Sequence, residues 1–188
     1  QYAVRGVALV YTGGRPINAL TTAFTNLGKG YAGPIPVPVI IFAIVALISW
    51  FFLAKTQFGR YIYAIGGNEK AALVSGLRVK QLKFLSYVIN GMTAALAGIL
   101  LAARVAVGSP TAGESYDLLA ITAVVVGGTS NAGGTGGILP SIIGVFIVTV
   151  MNNGMDLLGI SGYYQKIVTG VVVLLAVIID RNNVNRNH

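Results

Sequence analysis

The chain has 188 residues, 55% of them hydrophobic and only 10% charged, with a formal net charge of +8. Water-soluble chains run nearer to one quarter charged, so too few polar residues are present to cover a soluble surface, and the sequence is that of a membrane protein. Lys and Arg cluster at the ends of apolar runs and form no stripe interleaved with aromatics, which fits the positive-inside rule and argues against nucleic-acid binding.

Residues 2–11, YAVRGVALVY, open the chain without an initiating Met or a signal peptide and read as the end of a helix whose start is missing, so a fragment of a longer protein is expected. Residues 12–38 are rich in Gly and Pro with short apolar patches, which predicts an extramembrane loop. Residues 37–54, VPVIIFAIVALISWFFLA, hold no charge. As a helix they rise about 27 Å, close to the hydrocarbon thickness of a bilayer. Trp50, Phe51 and Phe52 stand where an aromatic belt would sit, and Lys55 ends the run.

Residues 58–83, with Lys55 at their edge, gather six of the thirteen basic residues: Lys55, Arg60, Lys70, Arg78, Lys80 and Lys83. Lying between two bilayer-length runs, this stretch is expected to be a cytoplasmic face. The run 84–103 returns across the membrane and stops at Arg104. Small residues recur along it four apart, Gly91 with Ala95, Ala94 with Gly98 and Gly98 with Ala102, a spacing that lets helix backbones approach closely.

Residues 106–117 offer turn formers together with Glu114 and Asp117, a loop on the side opposite the basic one. The apolar run 118–126 is too short to span as a helix before the glycine-rich stretch 127–137, GGTSNAGGTGG. Either the helix starts earlier, near Ser115, or a half-helix enters the membrane and breaks at the glycines, as a protein-lined or watery surrounding permits. Runs 138–151 and 167–179 come next, the first able to extend through Asn152 and Asn153 and the second starting near Tyr163. If all three late segments cross, the tail from Asp180, with Arg181 and Arg186, lands on the side of the basic loop.

The candidate groups for a solute pathway are polar ones at or near membrane depth. Asn90, Asn152 and Asn153 carry amides whose unpartnered burial costs about 2 kcal/mol or more, so they face another helix or a polar path. Thr129, Ser130 and Asn131 could add side-chain groups to amides exposed at a helix break, or belong to a plain turn. The glycine-rich stretch lacks the Lys-Ser/Thr pair of a P-loop, so no nucleotide is expected there. No apolar run carries a charge at its centre, whereas proton- or sodium-coupled carriers usually place a carboxylate at the midplane, and energy from outside the subunit is the better hypothesis. His188 is the only histidine and cysteine is absent, so neither a metal site nor a catalytic centre is expected.

Residues Gly59, Arg60, Tyr61, Ile62, Tyr63, Ala64, Ile65, Gly66, Gly67, Asn68 and Glu69, continuing through Ala71-Ala72 to Ser75-Gly76, resemble the ribose-type permease subunits of bacterial ATP-binding cassette sugar importers. So do residues 110–113 (PTAG), 127–130 (GGTS) with 132–134 (AGG), and 152–154 (NNG) with 157–159 (LLG) and Tyr164-Gln165. The resemblance covers essentially the whole chain, which would be about the C-terminal three-fifths of such a permease. It implies an all-α polytopic transmembrane bundle with short or broken helices, residues 1–188 being the C-terminal part of one permease domain in the bacterial cytoplasmic membrane.

The family further implies a second permease subunit, as a homodimer, a cytoplasmic ATP-binding cassette ATPase that holds ATP and Mg, and an extracytoplasmic sugar-binding protein; this subunit itself binds no cofactor and does no covalent chemistry. Within residues 58–83, Gly66, Gly67, Asn68, Glu69, Lys70, Ala71, Ala72 and Gly76 would form the coupling loop, a short amphipathic helix on which the ATPase docks through Ala71, Ala72, Leu73 and Val74. Family members often carry an acid directly before Ala-Ala; here Lys70 takes that place and Glu69 stands one earlier, while Gly76 keeps its position. Ribose is the first substrate expected, with xylose, galactosides or a furanosyl signalling molecule as relatives' cargoes. The alternative from the residues themselves is an ATP-independent secondary carrier or channel.

Overall fold

A computed structural model describes residues 2–18 and 20–186, without the side chains of Tyr2 and residues 179–186. His188 and the side chains of Asp180, Arg181 and Arg186 lie outside the described residues. The described residues are predominantly helical: α1 Tyr2–Thr12, α2 Thr22–Lys29, α3 Val37–Lys55, α4 Gln57–Gly67, α5 Glu69–Val74, α6 Val79–Val105, α7 Tyr116–Val126, α8 Ile138–Leu157 and α9 Gly162–Arg186, with a hairpin of two-residue strands, β1 Tyr31–Ala32 and β2 Ile35–Pro36. The strands pair antiparallel, Tyr31 with Pro36 and Ala32 with Ile35.

Among the described residues three helices, α3, α6 and α8, are long and apolar enough to cross a membrane. The chain exposes 13323 Å², against about 8,500 Å² for a water-soluble monomer of this mass. Much of the excess is aliphatic and aromatic surface: Phe42, Leu47, Phe51 and Phe52 on α3, Phe84 and Met92 on α6, Phe146 and Val150 on α8 are all exposed. Such a surface needs hydrocarbon around it, and helices, which satisfy every backbone group internally, are what a bilayer accepts. The expected all-α polytopic bundle with short or broken helices is the fold observed.

Packing divides the chain into two compact units, Gln1–Leu47 with Phe84–Glu114, and Ile48–Lys83 with Ser115–His188. In the first, the stretch 12–38 departs from the loop expected of it. It contains α2 and the hairpin, because Gly28 offers no side chain and α2 settles directly on the backbone of Ala103 and Arg104 in α6. Ile17 bridges to Gly108, and Arg5 pairs with Glu114 at 3.2 Å. The close helix approach expected at Gly91 and Gly98 is not made by the described residues: a methyl on either glycine would meet nothing within 4 Å.

In the second unit, α7 packs on α8 and α9. Gly144 lies against the carbonyl of Ala123 and Gly127 against that of Pro140, so α7 and α8 approach backbone to backbone. Ala123, Val125, Val148 and Met155 form the buried apolar core with two threonines. The hydroxyl of Thr122 donates to the Leu118 carbonyl at 2.6 Å and that of Thr169 to Gln165 at 2.8 Å, the back-bonding that satisfies a buried hydroxyl inside a helix. Gln165 staples the α8–α9 turn by donating to Asp156 at 2.6 Å and to the Ile160 carbonyl at 3.1 Å.

Helix α7 begins next to Ser115 and stops at the glycines after 11 residues, a rise of about 16 Å that is half a bilayer.

Candidate functional site

Two segments of the second unit meet, the basic loop and the glycine-rich turn. Past Lys55 the chain turns into α4: Thr56 caps α4 by accepting from the Gly59 N–H at 3.4 Å, and Gly59 is buried against the Leu53 carbonyl, which leaves no room for a side chain. Asn68 then serves two helices. Its N–H closes α4 on the Ala64 carbonyl at 3.1 Å, and its side-chain oxygen accepts from the Ala71 N–H at 3.0 Å, the N-cap that starts α5.

Helix α5 is six residues long and is finished by a Schellman turn: the Gly76 N–H donates to Leu73 at 3.0 Å and the Leu77 N–H to Ala72 at 3.2 Å. That turn requires Gly76 at φ +82°, a conformation L residues disfavour. Glu69 pairs with Lys83 of α6 at 2.6 Å, a solvent-exposed link contributing about 1 kcal/mol or less. Of the four residues expected to dock, Ala71, Leu73 and Val74 are exposed, Leu73 at 63% and Val74 at 87%, whereas Ala72 is turned inward at 5%. The apolar surface offered outward is thus carried by Leu73 and Val74, and Lys70 lies exposed beside them.

The glycine-rich turn begins where α7 ends in a second Schellman pair, Gly128 N–H to Val125 at 2.9 Å and Thr129 N–H to Val124 at 3.1 Å. Ser130 organises the rest of the turn: its N–H donates to the Thr135 carbonyl at 3.2 Å, its carbonyl accepts from Gly133 at 3.2 Å and its hydroxyl from Ala132 N–H at 3.2 Å. The hydroxyls of Thr129 and Ser141 lie 3.4 Å apart, joining the turn to the first turn of α8.

This turn lies against α4. The Tyr63 hydroxyl donates to the Gly136 carbonyl at 2.8 Å. A methyl built on Gly66 would stand 2.5 Å from the Gly134 nitrogen, and one on Gly133 would stand 2.8 Å from the Gly66 carbonyl oxygen. Beside the contact is a crevice of about 150 Å³ lined by Trp50, Leu53, Ala54, Tyr63 and residues 137–140. The turn therefore sits at the Lys55 end of α3, next to the basic loop.

Within the second unit, the polar residues singled out for a solute path are not all brought together. Thr129, Ser130 and Asn131 lie in the turn, while Asn152 stands eleven positions beyond Ser141 on α8, about 16 Å along the axis at 1.5 Å per residue. The Asn152 side-chain oxygen is buried and has no hydrogen-bond partner among the described residues. Asn153 is exposed, and Asn90 lies on an exposed stretch of α6 in the other unit. Among the described residues no three His, Cys, Asp or Glu side chains converge as a metal site would require. Tyr63, Lys83, Gly133, Gly134 and Gly136 were not among the site residues expected from the sequence. The one available signal was the paired glycines at 66–67 and 133–134, since paired glycines often mark close backbone approach.

Comparison with known proteins gives a consistent answer. The family described as branched-chain amino acid transport system / permease component matches residues 3–177. The chain is 52% identical over 179 residues to the ribose import permease protein of Bacillus subtilis (strain 168), covering 94% of this chain and 56% of that protein. To the ribose import permease protein of Escherichia coli (strain K12) it is 49% identical over 181 residues, again 94% and 56%. To the xylose transport system permease protein of Haemophilus influenzae (strain ATCC 51907 / DSM 11121 / KW20 / Rd) it is 45% identical over 149 residues, 79% of this chain and 40% of that one. The chain thus spans just over half the length of the ribose permeases it matches. No solved structure matches. The apolar helices and these relatives make it an integral, multi-pass protein of the bacterial cytoplasmic membrane. The chain belongs to the family of branched-chain amino acid transport system permease components, and its sequence resembles the ribose-type members.

Proposed function

We propose that the chain is the C-terminal part of a permease subunit in an ATP-driven importer that carries a monosaccharide, ribose first, into the cell. The observation that carries this is α5, a helix too short to hold itself, capped at both ends, on a basic loop, with Leu73 and Val74 exposed. Apolar side chains fixed in place on an extramembrane loop suit a docking partner. That partner is a cytoplasmic ATPase, on which ATP and Mg would reside, while the permease binds no cofactor and catalyses no covalent step. A second copy of the permease and an extracytoplasmic sugar-binding protein complete the assembly. The names of the similar proteins, ribose and xylose permeases, support a sugar over the amino acids in the family's description.

Residues 58–83 act as the coupling loop of this permease domain, with Gly66 and Asn68 shaping it, Glu69 and Lys83 anchoring it, and Lys70, Ala71, Leu73 and Val74 meeting the ATPase, while a side chain at Gly67 would face open space. Asn152 is the strongest of the pathway candidates, because its side-chain oxygen is buried and still open to a partner. The test is complementation. In cells lacking their own ribose importer, the full-length parent with its ATPase and binding protein should restore ribose uptake, and an ATPase variant unable to hydrolyse ATP should abolish it. Restoration by the permease alone would refute the proposal.

A further inference from the structure

The basic loop and the glycine-rich turn touch through bare backbone. Gly66 stands on one side and Gly133 with Gly134 on the other, and a methyl on Gly66, Gly133 or Gly134 would lie 2.5 to 2.8 Å from the opposing backbone. One side-chain hydrogen bond, from the Tyr63 hydroxyl to the Gly136 carbonyl at 2.8 Å, locks the same two segments one helical turn away. On the α4 side the chain runs directly through Asn68 into α5. On the other side it runs out of α7 and into α8.

We infer that Gly66, Gly133, Gly134 and Tyr63 are positioning residues that transmit movement of the ATPase-facing helix α5 to the α7–α8 hairpin. This deepens, and rests on, the proposal that α5 receives an ATPase. The physical case is one of stiffness. Side chains between two segments absorb a displacement by changing rotamer, whereas two backbones in contact cannot, and close-packed interiors pass strain onward. Asn68 adds a rigid joint, since the one residue closes α4 and caps α5, so a push on Leu73 or Val74 tilts both short helices together. The hairpin that receives the push is itself backbone-tight, Gly144 on Ala123 and Gly127 on Pro140, so it moves as one body. Thr129, Ser130 and Asn131 then serve the shape of this joint at the end of α3, and need not touch sugar.

Adjacent glycines supply the test. Gly66 and Gly67 both end α4, and alanine gains similar helix propensity at either. Only Gly66 is blocked, because a methyl on Gly67 meets nothing within 4 Å. The full-length parent is placed in proteoliposomes with its ATPase and binding protein, and ribose taken up per ATP hydrolysed is measured for wild type, Gly66→Ala, Gly67→Ala and the milder Tyr63→Phe. Hydrogen exchange across 128–136 is followed in the same samples. Gly66→Ala should still retain the ATPase but lose about tenfold in ribose per ATP, the effect expected of a methyl forced into a filled contact. Tyr63→Phe should lose several-fold, Gly67→Ala should match wild type, and exchange should rise only in the first two. A wild-type transport ratio in Gly66→Ala, or uptake lost together with the ATPase, would overturn the inference. Uptake by wild type without any ATPase would instead refute the importer proposal, and the exchange data would then judge the contact alone, unchanged exchange in Gly66→Ala sinking it.

Discussion

Replacing Gly76 by Ala isolates what a single backbone angle contributes to the loop. Helix α5 has six residues, well below the length at which a helix holds itself in water, so it depends on its two caps. The Asn68 cap is worth about 1 kcal/mol. The Schellman turn needs φ +82° at Gly76, and a methyl there would touch nothing within 4 Å, so the whole effect of Gly76→Ala is conformational. A left-handed L residue costs about 1–2 kcal/mol, partly offset by the lower entropy of an unfolded chain with Ala in place of Gly. A net loss of about 1 kcal/mol is a roughly fivefold shift in the local opening equilibrium. The amides of Ala72, Ser75 and Leu77, which donate to Asn68, Ala71 and Ala72, should therefore exchange about five times faster by hydrogen-exchange mass spectrometry. Gly76→Asn should cost less, since Asn tolerates this conformation, and amides in the middle of α6 should not change. Equal exchange in wild type and Gly76→Ala would refute the claim that this cap holds α5.

Val74→Asp changes a side chain that is 87% exposed, so the stability of the permease should move by no more than about 0.5 kcal/mol. Losing a buried valine at an interface should nevertheless weaken ATPase binding to the nanodisc-held parent about tenfold, from about 1.5 kcal/mol of apolar burial; unchanged affinity would remove Val74 from the docking surface. Gly144→Val drives a side chain onto the Ala123 carbonyl, while Gly154 on the same helix has open space. The first should cost about 3 kcal/mol or more and lower the melting temperature in detergent, and Gly154→Ala should not. Asn152→Leu removes a buried oxygen that lacks a partner among the described residues, so thermal stability should hold or rise by about 1 kcal/mol while ribose uptake falls. A fall in stability would instead mean that Asn152 is bonded to a neighbouring helix.

The spanning helices were legible because an uncharged run such as residues 37–54 has one solution in a bilayer, and α3 occupies it almost residue for residue. The break after α7 was legible as well, since the apolar run 118–126 is too short to span and glycines come directly after it. Helix α2 was hidden because the turn residues around it dominate the pattern, and its stability comes from the contact of Gly28 with α6, a tertiary fact. Ala72 looked like part of an outward apolar face because adjacent alanines carry no directional signal; one buried and one exposed neighbour is what a helix surface dictates. The seat of residues 127–137 against α4 was equally invisible. Periodicity reports how a segment faces a core or a membrane, but not which two backbones touch, and the glycine pairs only hinted at it.

The most direct measurement is ribose uptake by the full-length parent in proteoliposomes, with ATP, the ATPase and the binding protein supplied or withheld one at a time and with imposed proton or sodium gradients as the alternative drive. Uptake that needs ATP and both partners, and ignores either gradient, is the predicted result. Uptake driven by an ion gradient without the ATPase would contradict it.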